Sequence, residues 1–123
     1  MPQIISLYSG CGGLDLGFKS AGFKTVLATD VWDVACETIK KNNLSDLVIN
    51  DDIRNIDFKE YNGKVVGVIG GPPCQGFSLA GKRLSDDPRN FLFKEFVSMV
   101  EEIKPTFFVM ENVKGMLSVA EQV

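Results

Sequence analysis

The amino-acid sequence predicts an α/β fold in which a parallel sheet carries helices on both faces. Short apolar or β-branched runs alternate with longer segments of helical periodicity, the pattern typical of strands joined by crossover helices. The 123 residues suit one compact domain, and 45% of them are apolar, which is enough for a core. Polar or glycine-rich clusters follow the strands, as expected where such a sheet binds ligands.

The first half of the chain alternates strand and helix twice. Apolar runs predict the strands, and apolar residues three or four positions apart, closed by glycine or asparagine, predict the helices. These elements are strands at 4–8 and 24–28 and helices at 14–21 and 33–41. In the first helix, Leu14, Phe18 and Ala21 share one face, which is predicted to be the apolar one.

The second half continues the alternation. It contains predicted strands at 47–49, 65–69 and 106–110, a long helix at 91–103 and a further helix that begins at 113. The long helix is predicted from Phe93, Phe96, Val97 and Val100, which recur at helical spacing, and Pro105 ends it. Residues 75–89 are polar and contain glycine, so they are predicted to form a loop.

Unusual residues follow all five predicted strands. They are the glycine cluster Gly10–Gly13, then Asp30, Asp52, Cys74 and Glu111. Because the carboxyl ends of parallel strands meet at one edge of a sheet, we expect these residues to form one site.

The glycine cluster predicts a tight turn that lets the backbone approach a ligand. A dinucleotide fingerprint would require glycine at position 15, and Asp15 stands there, which disfavours a pyrophosphate ligand. Asp30 is placed to accept hydrogen bonds from ribose hydroxyls, and Asp52 from an adenine amino group. The alternative is an ordinary turn with two solvated acids.

Cys74 has a setting that the other two cysteines lack. A lone cysteine after an apolar strand is commonly a small buried residue, but two glycines and two prolines precede this one and hold its backbone stiffly. Cys74 is therefore a candidate nucleophile, whereas Cys11 and Cys36 are interpreted as packing residues. Glu111 leaves an apolar strand and is either a surface carboxylate or a proton donor.

Composition excludes several classes of protein. The net charge is −3, so any surface that binds nucleic acid is local or lies elsewhere. The chain has no histidine and three widely spaced cysteines, which predicts no metal site, no disulfide framework and a reducing cytoplasm. No apolar run is long enough to cross a membrane, and no signal-peptide pattern opens the chain.

Taken together, these motifs resemble the DNA cytosine-5 methyltransferase family. The similarity rests on residues 6–14, Asp30 with Trp32, Asp52-Ile53, Pro72–Gln75, 90–93 and 111–113. It covers essentially the whole chain. The resemblance implies the Rossmann-like, S-adenosylmethionine-dependent methyltransferase fold, with that compound as cofactor and duplex DNA as substrate.

The resemblance also implies roles for individual residues. The cofactor-binding residues would be Tyr8, Ser9, Gly10, Cys11, Gly12, Gly13, Leu14, Asp30, Val31, Trp32, Asp52, Ile53, Gly71, Pro72 and Leu92. The DNA-binding residues would be Pro73, Gln75, Ser78, Arg83, Arg89, Asn112 and Val113. Cys74 would add to C6 of a cytosine flipped out of the duplex, while Glu111 acts at N3, and the activated C5 would take the methyl group.

Family members are much longer than this chain. Residues 1–123 would be the catalytic, cofactor-binding half of the domain, without the C-terminal strands and the target-recognition domain, and the fifth strand would be an open edge. We expect these residues to be inactive alone. Either the chain is a shortened form, or a second polypeptide completes a bacterial, cytoplasmic enzyme of a restriction-modification type.

Three other functions remain open on the sequence. An RNA (tRNA) cytosine-5 methyltransferase would use the same motifs on another substrate. A non-catalytic module could bind S-adenosylmethionine or a nucleotide. A nicotinamide-dependent dehydrogenase is disfavoured by Asp15.

Overall fold

A computed structural model of the chain describes residues 1–72 and 91–111. Its strands are β1 (Gln3–Leu7), β2 (Lys24–Asp30), β3 (Leu47–Asn50), β4 (Gly67–Gly70) and β5 (Phe107–Met110). Its helices are α1 (Gly13–Ser20), α2 (Asp33–Lys41) and α3 (Phe91–Ile103). Two short 3-10 turns, Ile53–Asn55 and Lys59–Tyr61, lie between β3 and β4.

The five strands form one parallel sheet, as predicted. Their order is β3-β2-β1-β4-β5, and every neighbouring pair is parallel. The chain runs outward from β1 to β3 and then returns to add β4 on the other side of β1. The direction of winding therefore reverses between β1 and β4, and parallel sheets bind ligands at the carboxyl ends of such a pair.

The helices cover both faces of the sheet. Ile5 and Leu7 point to one face, where they share a buried cluster with Phe96 and Ile103 of α3. Ser6, between them, points to the opposite face and meets the first turn of α1. Ala28 packs with Ile39 of α2. Since Ala28 pairs with Ser6, α1 and α2 lie on the face opposite α3.

An irregularity in β2 brings one of its residues under α1. Ile4 pairs with Thr25, but Ile5 pairs with Leu27, so Val26 is an extra residue in the ladder. Thr25 consequently lies on the same face as Ser6, where its hydroxyl contacts Asp15.

The face of α1 that packs on the sheet differs from the prediction. Asp15 is fully buried, Leu14 and Phe18 are half-buried, and Ala21 is exposed. Asp15 takes this position because hydroxyls of the sheet bond to its carboxylate. Phe18 turns instead toward the sheet edge and stacks on Phe107 at a centroid distance of 6.5 Å.

Other boundaries follow the sequence closely. The bounds of α2 and α3 are those predicted, and the strands differ from prediction by up to two residues at either end. The predicted loop at 75–89 and the predicted helix from 113 lie outside the described residues. None of the helices within 1–72 and 91–111 combines the length and apolar content needed to cross a membrane.

Candidate cofactor and active site

The loop after β1 departs from ordinary backbone geometry. Tyr8 has φ 50°, Gly10 has φ 57° and Gly12 has φ 92°, all in the left-handed region. Ser9 ties the loop to β2, because both its N–H (3.0 Å) and its hydroxyl (3.1 Å) donate to the carbonyl of Thr29. The loop is thus held at the point where the winding of the sheet reverses.

Asp30 organises the backbone on either side of itself. One carboxylate oxygen accepts the N–H of Gly10 at 2.8 Å, and the other accepts the N–H of Trp32 at 2.9 Å. Each carboxylate oxygen can accept more than one hydrogen bond, so Asp30 keeps capacity for donors from a ligand.

Two adjacent cavities open at this edge of the sheet. The first, which we call the Asp30 cavity, has a volume of about 280 Å³. Its lining consists of Tyr8, Gly10, Asp30, Val31, Asp51, Asp52, Ile53, Gly71 and Leu92. It therefore combines an apolar wall with three carboxylates.

The second, which we call the loop cavity, has a volume of about 570 Å³. Its lining consists of Ser6, Tyr8, Ser9, Gly10, Gly13, Leu14, Asp15, Gly70, Gly71 and Glu111. The two cavities share Tyr8, Gly10 and Gly71, so one elongated ligand can extend from the first into the second.

Asp52 is held in its charged form at the rim of the Asp30 cavity. It accepts hydrogen bonds from the backbone N–H and Nε of Arg54, and Nη2 lies 2.6 Å from its other oxygen. These side-chain and backbone hydrogen bonds lower the pKa of Asp52. The carboxylate is thus ionised at neutral pH and available as an acceptor.

Tyr8 joins the glycine loop to α3. Its hydroxyl donates to the carbonyl oxygen of Leu92 at 3.1 Å. Burial raises the pKa of Tyr8 well above its ordinary value, and the nearby charges of Asp52 and Glu95 raise it further. The phenol therefore stays neutral and keeps this hydrogen bond.

Asp15 lies at the inner end of the loop cavity. Its side chain is fully buried, and it accepts hydrogen bonds from Ser6 Oγ (2.9 Å) and Thr25 Oγ1 (3.4 Å). Burial raises its pKa, and the two hydroxyls only partly offset that effect.

Glu111 lies at the outer end of the loop cavity. Its N–H donates to the carbonyl of Gly70 at 2.9 Å, which extends the β4–β5 ladder by one residue. A Cβ at position 71 would lie 3.0 Å from Glu111 Oε2, so Gly71 leaves room for this carboxylate. Glu111 and the glycine loop thus face the same space.

Most of the predicted cofactor-binding residues in the described ranges line these cavities. The exceptions are Cys11, Gly12, Trp32 and Pro72. Cys11 and Gly12 line a separate cleft between α1 and the end of α2, and the Trp32 side chain is exposed. Four lining residues were not predicted, namely Ser6, Asp15, Asp51 and Gly70.

The two described cysteines behave differently. Cys36 is buried, which confirms its prediction as a packing residue, whereas Cys11 is exposed and that prediction is wrong. Cys11 follows Gly10, whose left-handed φ turns the loop away from the core. Cys74 and the predicted DNA-binding residues Pro73, Gln75, Ser78, Arg83, Arg89, Asn112 and Val113 lie outside the described residues.

A glycine loop after β1, an acid at the end of β2 and a cavity at the reversal point are the features of an α/β domain of the Rossmann-like kind. The chain belongs to the C-5 cytosine-specific DNA methylase family, whose family model matches residues 2–122. Family and fold together imply the use of S-adenosylmethionine.

Individual relatives agree with this assignment. Type II methyltransferase M.DdeI of Desulfomicrobium norvegicum is 50% identical over 121 residues, which cover 94% of this chain and 29% of that protein. Type II methyltransferase M.AquIA of Picosynechococcus sp. is 47% identical, with 94% of this chain and 50% of that protein covered. The chain therefore spans at most half the length of these two relatives.

Solved structures confirm the predicted methyltransferase fold. A DNA modification methyltransferase encoded within an E. coli prophage matches 99% of this chain and 36% of its own length, with a TM-score of 0.80 and 33% identity. A mutant of Spodoptera frugiperda DNMT2 matches 96% of this chain and 37% of its own length, with a TM-score of 0.67 and 30% identity.

Proposed function

We propose that the protein methylates C5 of cytosine in DNA with S-adenosylmethionine as methyl donor, as part of a restriction-modification system in the bacterial cytoplasm. The observation that carries the proposal is the pair of joined cavities at the β1–β4 reversal, with nucleoside-binding acids at one end and Glu111 at the other. Membership of the methylase family supports it.

The Asp30 cavity fits the adenosyl part of the cofactor. Val31, Ile53 and Leu92 supply an apolar wall for a flat purine, and Asp52 offers an ionised acceptor for an amino group at its edge. Asp30 retains lone pairs for the ribose hydroxyls beside the two backbone donors that it already holds. A stacking role for Trp32 stays a prediction, since Val31 rather than Trp32 lines the cavity.

The loop cavity fits the remainder of the cofactor. Gly10, Gly13 and Gly71 carry no side chain, so backbone can approach the ligand closely. When bound, S-adenosylmethionine supplies an electrophilic methyl group on its sulfonium. Glu111 shares this cavity, so the group proposed to act on the cytosine faces the same space.

In the proposed reaction, the Cys74 thiolate forms a bond to C6 of the cytosine and the 5,6 double bond is broken. Glu111 holds the proton or hydrogen bond at N3 and so draws negative charge off the ring. C5 would then form a bond to the methyl carbon as the methyl–sulfur bond breaks, which leaves a neutral thioether. Loss of the C5 proton and release of Cys74 restore the double bond and the enzyme.

Trapping the covalent intermediate tests the proposal. DNA that carries 5-fluorocytosine cannot lose a proton from C5, so an active preparation should form a stable adduct through Cys74. The preparation combines the chain with any further polypeptide that activity requires, because the chain spans at most half the length of two relatives.

The controls separate this thiol from the others and DNA from RNA. Cys74→Ala should abolish the adduct, whereas Cys36→Ala, which removes a thiol that lines neither cavity, should leave the yield per folded protein unchanged. An adduct that persists in Cys74→Ala contradicts the nucleophile assignment. Trapping of 5-fluorocytosine tRNA in preference to duplex DNA contradicts the proposed substrate.

A further inference from the structure

Asp15 is a buried ionisable side chain whose described hydrogen-bond partners carry no charge. It is completely shielded from solvent, and among residues 1–72 and 91–111 none of the ion pairs includes it. Its partners are the neutral hydroxyls of Ser6 and Thr25. A neutral residue of the same shape would fill this space without the cost of burying an ionisable group.

The described side chains around the loop cavity are either acidic or uncharged. The ionisable groups of the cavity lining are Tyr8, Asp15 and Glu111, and the described lining contains no lysine or arginine. Asp15 approaches the cavity from α1, with Ser6 on β1 beside it, and Glu111 lies at the end of β5. Among the described residues, a ligand group in this cavity therefore meets two carboxyl groups and no cationic side chain, and an ionised carboxylate acts over several ångströms through the poorly screened interior.

We propose that Asp15 gives the loop cavity its preference for a ligand that is positively charged at this end, and so makes the protein discriminate the sulfonium methyl donor from its neutral thioether product. This inference rests on the proposed function. A cofactor with its ribose at Asp30 would reach the loop cavity past Tyr8, Gly10 and Gly71, the three residues that line both cavities. Asp15 is a positioning residue below the cavity, not a catalytic one.

The proposal has a consequence for turnover. Methyl transfer converts the sulfonium into a neutral thioether, so the attraction from Asp15 is lost when the product forms. The negative cavity thereby favours exchange of S-adenosylhomocysteine for a new S-adenosylmethionine. A purely structural Asp15 would affect the binding of both compounds equally.

The test measures the two dissociation constants by titration calorimetry in the wild-type chain and in Asp15→Asn. Asparagine keeps the volume and an acceptor for Ser6 but removes the charge. The dissociation constant of S-adenosylhomocysteine divided by that of S-adenosylmethionine should fall by roughly fivefold or more in Asp15→Asn. Asp46→Asn is the matched control, since it removes an exposed carboxylate that lines neither cavity, and its ratio should equal that of the wild type.

Each result has a distinct meaning. Equal weakening of both ligands in Asp15→Asn overturns the proposal and leaves Asp15 with a structural role. Failure of the wild-type chain to bind either compound argues instead against the proposed function.

If Asp15→Asn does not fold, a measurement on the wild type tests whether Asp15 responds to the charge of the ligand. Calorimetry in two buffers of different ionisation enthalpy reports protons released on binding. The sulfonium compound should release more protons than the thioether, because a cation beside a carboxyl of raised pKa favours its ionised form. Glu111 and Tyr8 are the other titratable groups that line the cavity. Glu111→Gln is the control for protons that come from Glu111, and the difference in proton release between the two ligands should persist in this variant. Equal proton release for both ligands contradicts the proposal.

Discussion

At the residue scale, Asp15 should weaken the folded state at neutral pH. Burial raises its pKa above the ordinary value, so the folded protein holds this proton over a pH range in which the unfolded chain has lost it. The free energy of unfolding then falls as the pH rises from the ordinary pKa through the raised one. The stabilising contribution of the protonated carboxyl is complete only below the ordinary pKa.

The corresponding prediction concerns stability rather than binding. Asp15→Asn should unfold at higher urea concentration than the wild type at pH 7, and this advantage should shrink as the pH approaches 4. Asp46→Asn is the control, because Asp46 is an exposed partner of Lys24 and surface pairs contribute little. The explanation is contradicted if the free energies of unfolding of Asp15→Asn and the wild type differ by a constant amount from pH 4 to 7.

The sequence predicts some site residues better than others for a physical reason. Asp30 is the last residue of β2 and Asp52 lies two residues beyond β3, so the parallel topology alone places them at the ligand edge. The burial of Asp15 depends on the extra residue in β2 and on how α1 packs over Ser6. Neither feature is visible in the local sequence, which shows only an acid in the first turn of a helix.

At the element scale, two glycines around α1 serve different purposes. Gly12 has φ 92°, and a Cβ there would lie 2.5 Å from the Leu44 side chain, so alanine is both strained and crowded. Gly17 lies within α1, and a Cβ there would meet no atom within 4 Å. Only the first position requires glycine.

The two alanine variants should therefore shift stability in opposite directions. Gly12→Ala should lower the free energy of unfolding by about 1–3 kcal/mol, the usual cost of a strained backbone conformation. Gly17→Ala should raise it by roughly 0.5–1 kcal/mol, because alanine restricts the unfolded chain and favours helix. Urea titrations compare the two, and equal destabilisation by both substitutions contradicts the proposed role of the loop geometry.

Helices are predicted more accurately than strands in this chain. The ends of α2 and α3 follow from local signals, including the asparagines after Lys41 and Pro105 after α3. The extent of β2 and β4 depends on which residues of β1 are available as partners, and local sequence does not contain that information. The two 3-10 turns are too short to produce a periodic pattern.

For the molecule as a whole, the parallel sheet places the two cavities, with Asp30 and Glu111, on one edge. β5 is the outermost strand of the described sheet, and Phe108 and Val109 on it are exposed. That the fifth strand is an open edge of the sheet stays a prediction. That residues 1–123 are inactive alone, and that a second polypeptide completes the enzyme, stay predictions.

We propose that the joined cavities hold S-adenosylmethionine with its ribose at Asp30. Titration calorimetry of the chain with this compound tests it most directly, with Asp30→Asn compared against Asp46→Asn, an exposed aspartate in an ion pair with Lys24. The loss of a charged acceptor in Asp30→Asn should weaken binding by roughly 1.5–3 kcal/mol, or about 10- to 150-fold, while Asp46→Asn should bind like the wild type. Equal affinity of both variants for the cofactor would contradict the account.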